Sequence, residues 1–251
     1  MEAMHVPTIS FVAMAFSAIL SIGAPIALFF VVRKRYGRGI RPVIVGAVGY
    51  LLFAVILKQV LHWLVLETGV IAPMEHPYLY MLYGVLAAGV CEETSRLASF
   101  HLLKRRCEGF GTALKHGIGY GGLEAFLVVG APMISNLALA ALINTQGAQG
   151  QETAATPAAG LFLSGAKCLM ALAVHIALSI IVYYAVYSPR KKWLYPLAIL
   201  LHALVNCAPA LMQAGAVTNV WLADGVVLVS AAAVAATAVL LHKRLEPKEA
   251  P

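Results

Sequence analysis

The chain has 251 residues, 61% apolar and only 12% charged, with a net charge of +7. Ordinary globular chains carry about 25% charged residues, so the polar shell of a water-soluble domain is missing and the apolar excess must face lipid. The basic excess does not point to nucleic acid. Fifteen of the 18 Lys and Arg residues fall in four short clusters, at 33–41, 104–115, 190–192 and 243–248, and the intervening polar segments 67–77, 144–160 and 213–219 contain none. That alternation is the positive-inside pattern of successive membrane loops, whereas a nucleic-acid surface gathers its cations on one face.

A bilayer span needs about 20 mostly apolar residues, and seven segments meet that need: 8–32, 42–66, 79–103, 116–143, 161–187, 194–213 and 219–241. The first is no cleaved signal peptide, because it lacks a basic start, is too long, and ends on Arg33, Lys34 and Arg35. The second contains Lys58, close enough to its outer boundary to be read as snorkelling, as is Lys167 in the fifth; Asp224 lies near the outer start of the seventh. The third carries Glu92, Glu93 and Arg96, the fourth His116, Tyr120 and Glu124. Residues 144–160 read as a flexible outer loop, and 213–218 as a tight hairpin between the last two spans. Cys91, Cys168 and Cys207 fall within spans and Cys107 in a basic loop, with no CxxC pair, so neither a disulfide framework nor a zinc ribbon is expected. The fold expected is an all-α polytopic transmembrane bundle forming one membrane domain over 1–251, with its core motif helices at about 79–213. Placing the basic loops inside puts the N-terminus outside and the tail 242–251 in the cytoplasm, in a multi-pass protein of the plasma (inner) membrane.

Ionisable groups in mid-bilayer are costly and mark function unless paired. At about 1.5 Å per residue, Glu92 and Glu93 lie about 15–17 Å from the basic end of their helix, Arg96 about 10 Å, Glu124 about 12 Å, His175 about 18 Å, and His202 and Asn206 about 12 and 18 Å. Four helices thus bring acid, imidazole and amide groups to one slab. Glu92 and Arg96, spaced i,i+4, share a face and are expected to pair; Glu93 points about 100° away, leaving the two carboxylates separate tasks. The four glycines between His116 and Glu124 allow close approach of a neighbouring helix or a ligand. A carboxylate in a dry cavity can act as general base toward water, and His and Asn side chains can donate to an oxyanion, a set sufficient for amide hydrolysis. The same donors suit zinc; without an HExxH signature, a metal-free glutamate is the preferred reading, with zinc as the other.

Glu92-Glu93-Thr94-Ser95-Arg96, Gly121-Gly122-Leu123-Glu124, His175-Ile176-Ala177-Leu178-Ser179 and His202-Ala203-Leu204-Val205-Asn206 resemble, in order and over roughly 80–210, the motifs of the YhfC family. That family is grouped with the CAAX prenyl proteases and bacteriocin-processing enzymes, with PrsW, and with the gamma-secretase scaffold subunit. The resemblance implies an intramembrane endopeptidase of glutamic type, formerly described as a metalloprotease, acting on a membrane protein or lipidated peptide. It makes Glu92 the water-activating base with Glu93 and Arg96 beside it, and Glu124, His175, His202 and Asn206 the remaining motif residues. Relatives tend to have His where Tyr120 stands, so Tyr120 or His116 is the expected substitute donor. Against this stand a structural ion-pair network, a proton-coupled transporter, whose polar lining would continue to the outer face past helices broken in mid-membrane, and a non-catalytic scaffold or chaperone.

Overall fold

The computed structural model describes residues 5–69, 71, 75–146 and 156–245. Among the described residues seven helices follow one another: α1 Thr8–Tyr36, α2 Arg41–Glu67, α3 Pro77–Leu103, α4 Phe110–Gln146, α5 Ala158–Tyr187, α6 Leu194–Gln213 and α7 Val220–Leu245. Helix is what a bilayer imposes, since backbone polar groups in lipid must bond within their own segment. Six of the seven are long and apolar enough to cross a membrane. The seventh, α3, carries Glu92, Glu93 and Arg96 but turns them inward, leaving Leu79, Leu82, Leu86 and Val90 exposed as one stripe at helical spacing.

Several helices run beyond their apolar stretches, among them α1, α4 and α5. Helix α4 starts at Phe110, six residues before its apolar run, after Gly109 turns the chain at φ 85°. The added turn places Lys115, whose Nζ donates to the carbonyls of Tyr36 and Gly37 at 3.2 and 2.7 Å and so closes the end of α1. Of the outer loop expected at 144–160, residues up to Gln146 and from Ala158 are helical, and 147–155 lie outside the described residues, as do 246–251 of the tail.

Hydrogen bonds between helix ends fix an antiparallel alternation. At the end bearing the basic clusters, Lys104 Nζ donates to the Val186 carbonyl at 2.9 Å and the Tyr187 hydroxyl to that of Cys107 at 2.7 Å. At the opposite end, Asn144 exchanges bonds with the backbone of Val6 at 2.8 and 2.9 Å, and the Tyr80 hydroxyl donates to Gln213 at 3.1 Å. The centre of the bundle is α5: 72% of its apolar window is buried, against 17–28% for the other spanning helices.

Glycine zips the basic half. A Cβ on Gly119 would collide with the Val43 carbonyl of α2, and one on Gly46 with the His116 carbonyl of α4. On the other flank of α4, a Cβ on Gly117 would fall 2.5 Å from the Ile176 Cα and one on Gly121 2.9 Å from the His175 Cβ, both on α5. The glycine run therefore serves helix contact on two sides at once. Two helices are also locally widened to π form, α2 at Tyr50–Leu57 and Trp63–Glu67 and α4 at Phe126–Gly130. In α4 the cause is Pro132, which has no N–H and crowds the carbonyl four residues back, at Val128.

Candidate active site

A cavity of about 250 Å³ enters the bundle among α2, α3, α4, α5 and α6. On α3 its lining runs from Tyr80 through Gly84 and Ala88 to Glu92 and stops; on α6 it runs from Gln213 through Pro209 and Asn206 to His202 and stops. The members nearest the basic end on the remaining helices are Lys58 on α2, Glu124 on α4 and His175 on α5. The cavity is therefore blind, and its floor is the polar cluster. About 16–18 Å of helix separates that floor from Tyr80 and Gln213 at the mouth. Beneath the floor Arg96, Phe100, His116 and Tyr120 are each fully buried and close the way to the basic end.

The two carboxylates of α3 diverge, with partners that differ from the i,i+4 expectation. Arg96 Nη1 holds Glu93 Oε1 at 2.5 Å, one residue nearer than Glu92. Glu92 is paired instead by Lys58, whose Nζ lies 2.7 Å from Oε1. Lys58 thus does not snorkel to the surface; it reaches inward across the cavity. Counted along its span it stands about 24 Å from the basic end, against about 15–17 Å for Glu92 and Glu93, which is why the sequence alone leaves it at the outer boundary. Lys167, by contrast, pairs with Asp224 at 2.7 Å and stands apart from the site.

Two imidazoles complete the floor, each oriented from behind. Glu93 Oε1 accepts the Nδ1–H of His202 at 2.6 Å, which leaves His202 Nε2 as a lone pair 3.8 Å from Glu92 Oε2. Arg96 Nη2 donates to His175 Nδ1. A guanidinium only donates, so the proton of the neutral His175 ring sits on Nε2, against Glu124 Oε2. That contact is off axis for a hydrogen bond, and Glu92 Oε2 likewise has no hydrogen-bond partner among the described residues. Asn206 stands one turn beyond His202 on the cavity wall. The cluster holds three carboxylates and two fixed cations, so with both rings neutral it is one negative charge in excess.

Of the nine residues singled out in the sequence, Glu92, Glu124, His175, His202 and Asn206 line the cavity, and Glu93 and Arg96 support it from behind. Tyr120 and His116 do not line it. The Tyr120 ring carries the Arg96 guanidinium 4.1 Å from its centroid, and its buried hydroxyl has no partner among the described residues. His116 Nδ1 meets Ser179 Oγ at 3.1 Å, with the Phe100 ring tilted beside it at 4.5 Å between centroids. Nearer the mouth, His62 and Tyr80 join the wall, and His62 meets the Tyr83 hydroxyl at 3.1 Å.

The donor types also fit a metal ion. Glu92, Glu124 and His175 each offer one ligand atom within 4.8 Å of the others, two oxygens and a nitrogen as zinc takes. The unpartnered Glu92 Oε2 and the off-axis Glu124 Oε2 are oxygens such an ion would satisfy. Ligation through His175 Nε2 requires its proton on Nδ1, where Arg96 now donates.

Residues 16–227 match the family described as YhfC intramembrane metalloprotease. Over 223 residues the chain is 31% identical to the uncharacterized membrane protein YhfC of Bacillus subtilis (strain 168), covering 82% of this chain and 86% of that one. No solved structure matches.

Proposed function

Because the chain belongs to the YhfC family of intramembrane metalloproteases, we propose that it hydrolyses peptide bonds of membrane proteins or lipidated peptides within the plasma membrane, with Glu92 as the base. The observation that carries this is the blind cavity whose floor gathers Glu92, Glu124, His175 and His202 from four helices. Lys58 holds Glu92 Oε1 and leaves Oε2 to face the cavity. A water against Oε2 gives up a proton to Glu92 as its oxygen attacks the scissile carbonyl carbon. The resulting oxyanion takes hydrogen bonds from His175 Nε2–H, whose tautomer Arg96 sets, and from the Asn206 amide. The proton then passes to the amide nitrogen, the C–N bond breaks, and an acid and an amine leave. Glu93 keeps His202 oriented and stabilises its ring when Nε2 takes up a proton in that transfer.

A second reading, favoured by the proximity of the three donors, has Glu92, Glu124 and His175 holding zinc. Such an ion when bound polarises a carbonyl and acidifies water, and Arg96 would then release His175 Nδ1. A conduit is disfavoured: the lining does run to the non-basic end, as a transporter would have it, but beyond the floor the buried Arg96, Phe100, His116 and Tyr120 close the bundle.

The test is incubation of detergent-purified protein with a panel of membrane-peptide substrates beside Glu92→Gln. Cleavage by the native chain and its loss in the variant is the expected result; cleavage at full rate by Glu92→Gln removes the mechanism. Inhibition by a chelator, reversed by added zinc, selects the metal version.

A further inference from the structure

Resting on the hydrolase reading, we infer that the substrate is a membrane-anchored polypeptide that reaches Glu92 from the outer leaflet, through a side opening between α2 and the α4–α5 pair. Every lining residue lies between the polar floor and the helix ends that lack basic clusters, and none lies on the basic side. The basic half is shut by the glycine contacts of α4 with α2 and α5. In the other half α2 swings free: beyond Leu57 it comes close only to α3, and nowhere along its length does it approach α5. Beyond Gly130, α4 in turn comes close only to α1. One side of the cavity therefore has no helix-to-helix seam. Glu124 stands at its edge with a side chain 25% exposed, against 5–6% for Glu92, His175 and His202.

With basic clusters held in the cytosol, that opening faces the outer half of the bilayer. The wall toward the mouth offers Tyr80, Gly84, Val85, Pro209 and Gln213, with His62 held against the Tyr83 hydroxyl and no Asp, Glu, Lys or Arg among the lining residues there, so it suits an uncharged segment of a polypeptide already in the membrane. An approach from the cytosol would have to pass Arg96, Phe100, His116 and Tyr120.

Two glycines supply the probes. Gly84 on the cavity wall and Gly39 in the first basic loop each have open space where a Cβ would stand. In a chain with its four cysteines replaced by serine, Gly84→Cys and Gly39→Cys are exposed to a membrane-impermeant maleimide in right-side-out and in inverted vesicles. The Gly84→Cys thiol is expected to react in right-side-out vesicles and be protected in inverted ones, with Gly39→Cys showing the reverse; Val205→Cys on the facing wall repeats the Gly84→Cys pattern. Loss of cleavage when the reagent reaches the cavity thiol from outside, and no loss from the loop thiol, ties the route to the substrate. Reaction of both thiols from one side, or of the cavity thiols from neither, overturns the inference. The same labelling on a Glu92→Gln background separates the two readings, because access is independent of hydrolysis there.

Discussion

The two halves of this bundle are made of the same seven helices and behave as different materials. Toward the basic end, α4 lies so close to α2 and α5 that a methyl group at Gly117 or Gly119 would strike backbone, and an arginine, two aromatic rings and a histidine fill what remains. Toward the other end the helices part and a cavity opens, with room for a Cβ at Gly84. The contrast assigns the halves their tasks. The tight half is a fixed base that sets the rotamers of Arg96, His175 and, through Glu93, His202; on the hydrolase reading, the loose half is the one that admits the substrate. The ion pairs stand at the junction, where they are partnered from below and reachable from above.

Substitutions at five positions break or sharpen that contrast. Glu92→Gln, at the junction, is expected to lower the cleavage rate by about 100-fold or more, with folding preserved, as read from turnover of a membrane peptide and from gel filtration in detergent. Lys58→Met removes the hydrogen-bonded cation that holds the base; a loss of about 10-fold or more is expected, and recovery in Lys58→Arg distinguishes charge from bulk. For the packing itself, Gly119→Ala forces Cβ onto the Val43 carbonyl and is expected to cost about 1–3 kcal/mol in detergent unfolding, whereas Gly84→Ala meets open space and should be neutral or stabilising by up to about 1 kcal/mol. Equal losses for the two would erase the distinction between halves. The smallest effect belongs to Tyr120→Phe: the ring under Arg96 is kept and only an unpartnered hydroxyl is lost, so cleavage should stay within about twofold of the native rate, since apolar replacement of such a group is nearly neutral. A large loss would make that hydroxyl a donor to substrate.

Much of the fold was legible in the sequence because lipid leaves so few options: long apolar runs become helices, and the basic clusters mark one end of each. The helix ends were less legible, since the first turn of α4 exists to bring Lys115 to the carbonyls of α1, a cap that hydropathy does not register. Depth along each helix gave the level at which Glu92, Glu124, His175, His202 and Asn206 meet. It could not give their partners. Glu92 and Glu93 are both within reach of Arg96, and the choice falls to Glu93 because Lys58 and His202 stand across from the two acids. Nor does depth tell from which side a level is approached, which depends on how closely neighbouring helices pack. The glycines of α4 carried that information, but they read equally as a ligand cradle until their neighbours were known.

The widened stretch Tyr50–Leu57 ties chain length to chemistry. Lys58 follows it directly, so the direction in which this lysine points is inherited from eight residues, none of which lines the cavity. Loss of one residue there, with a return to ordinary helical winding, would leave Lys58 close to its present direction, because the wide turns hold one residue more than ordinary ones. Loss of one residue from the α-helical stretch Arg41–Gly49 before it would turn Lys58 by about 100° and carry it off Glu92 without altering a single side chain of the site. A deletion scan along α2, scored by turnover, should therefore find its sharpest fall between Arg41 and Gly49 and its mildest in the widened stretch, which acts as a reserve of one residue.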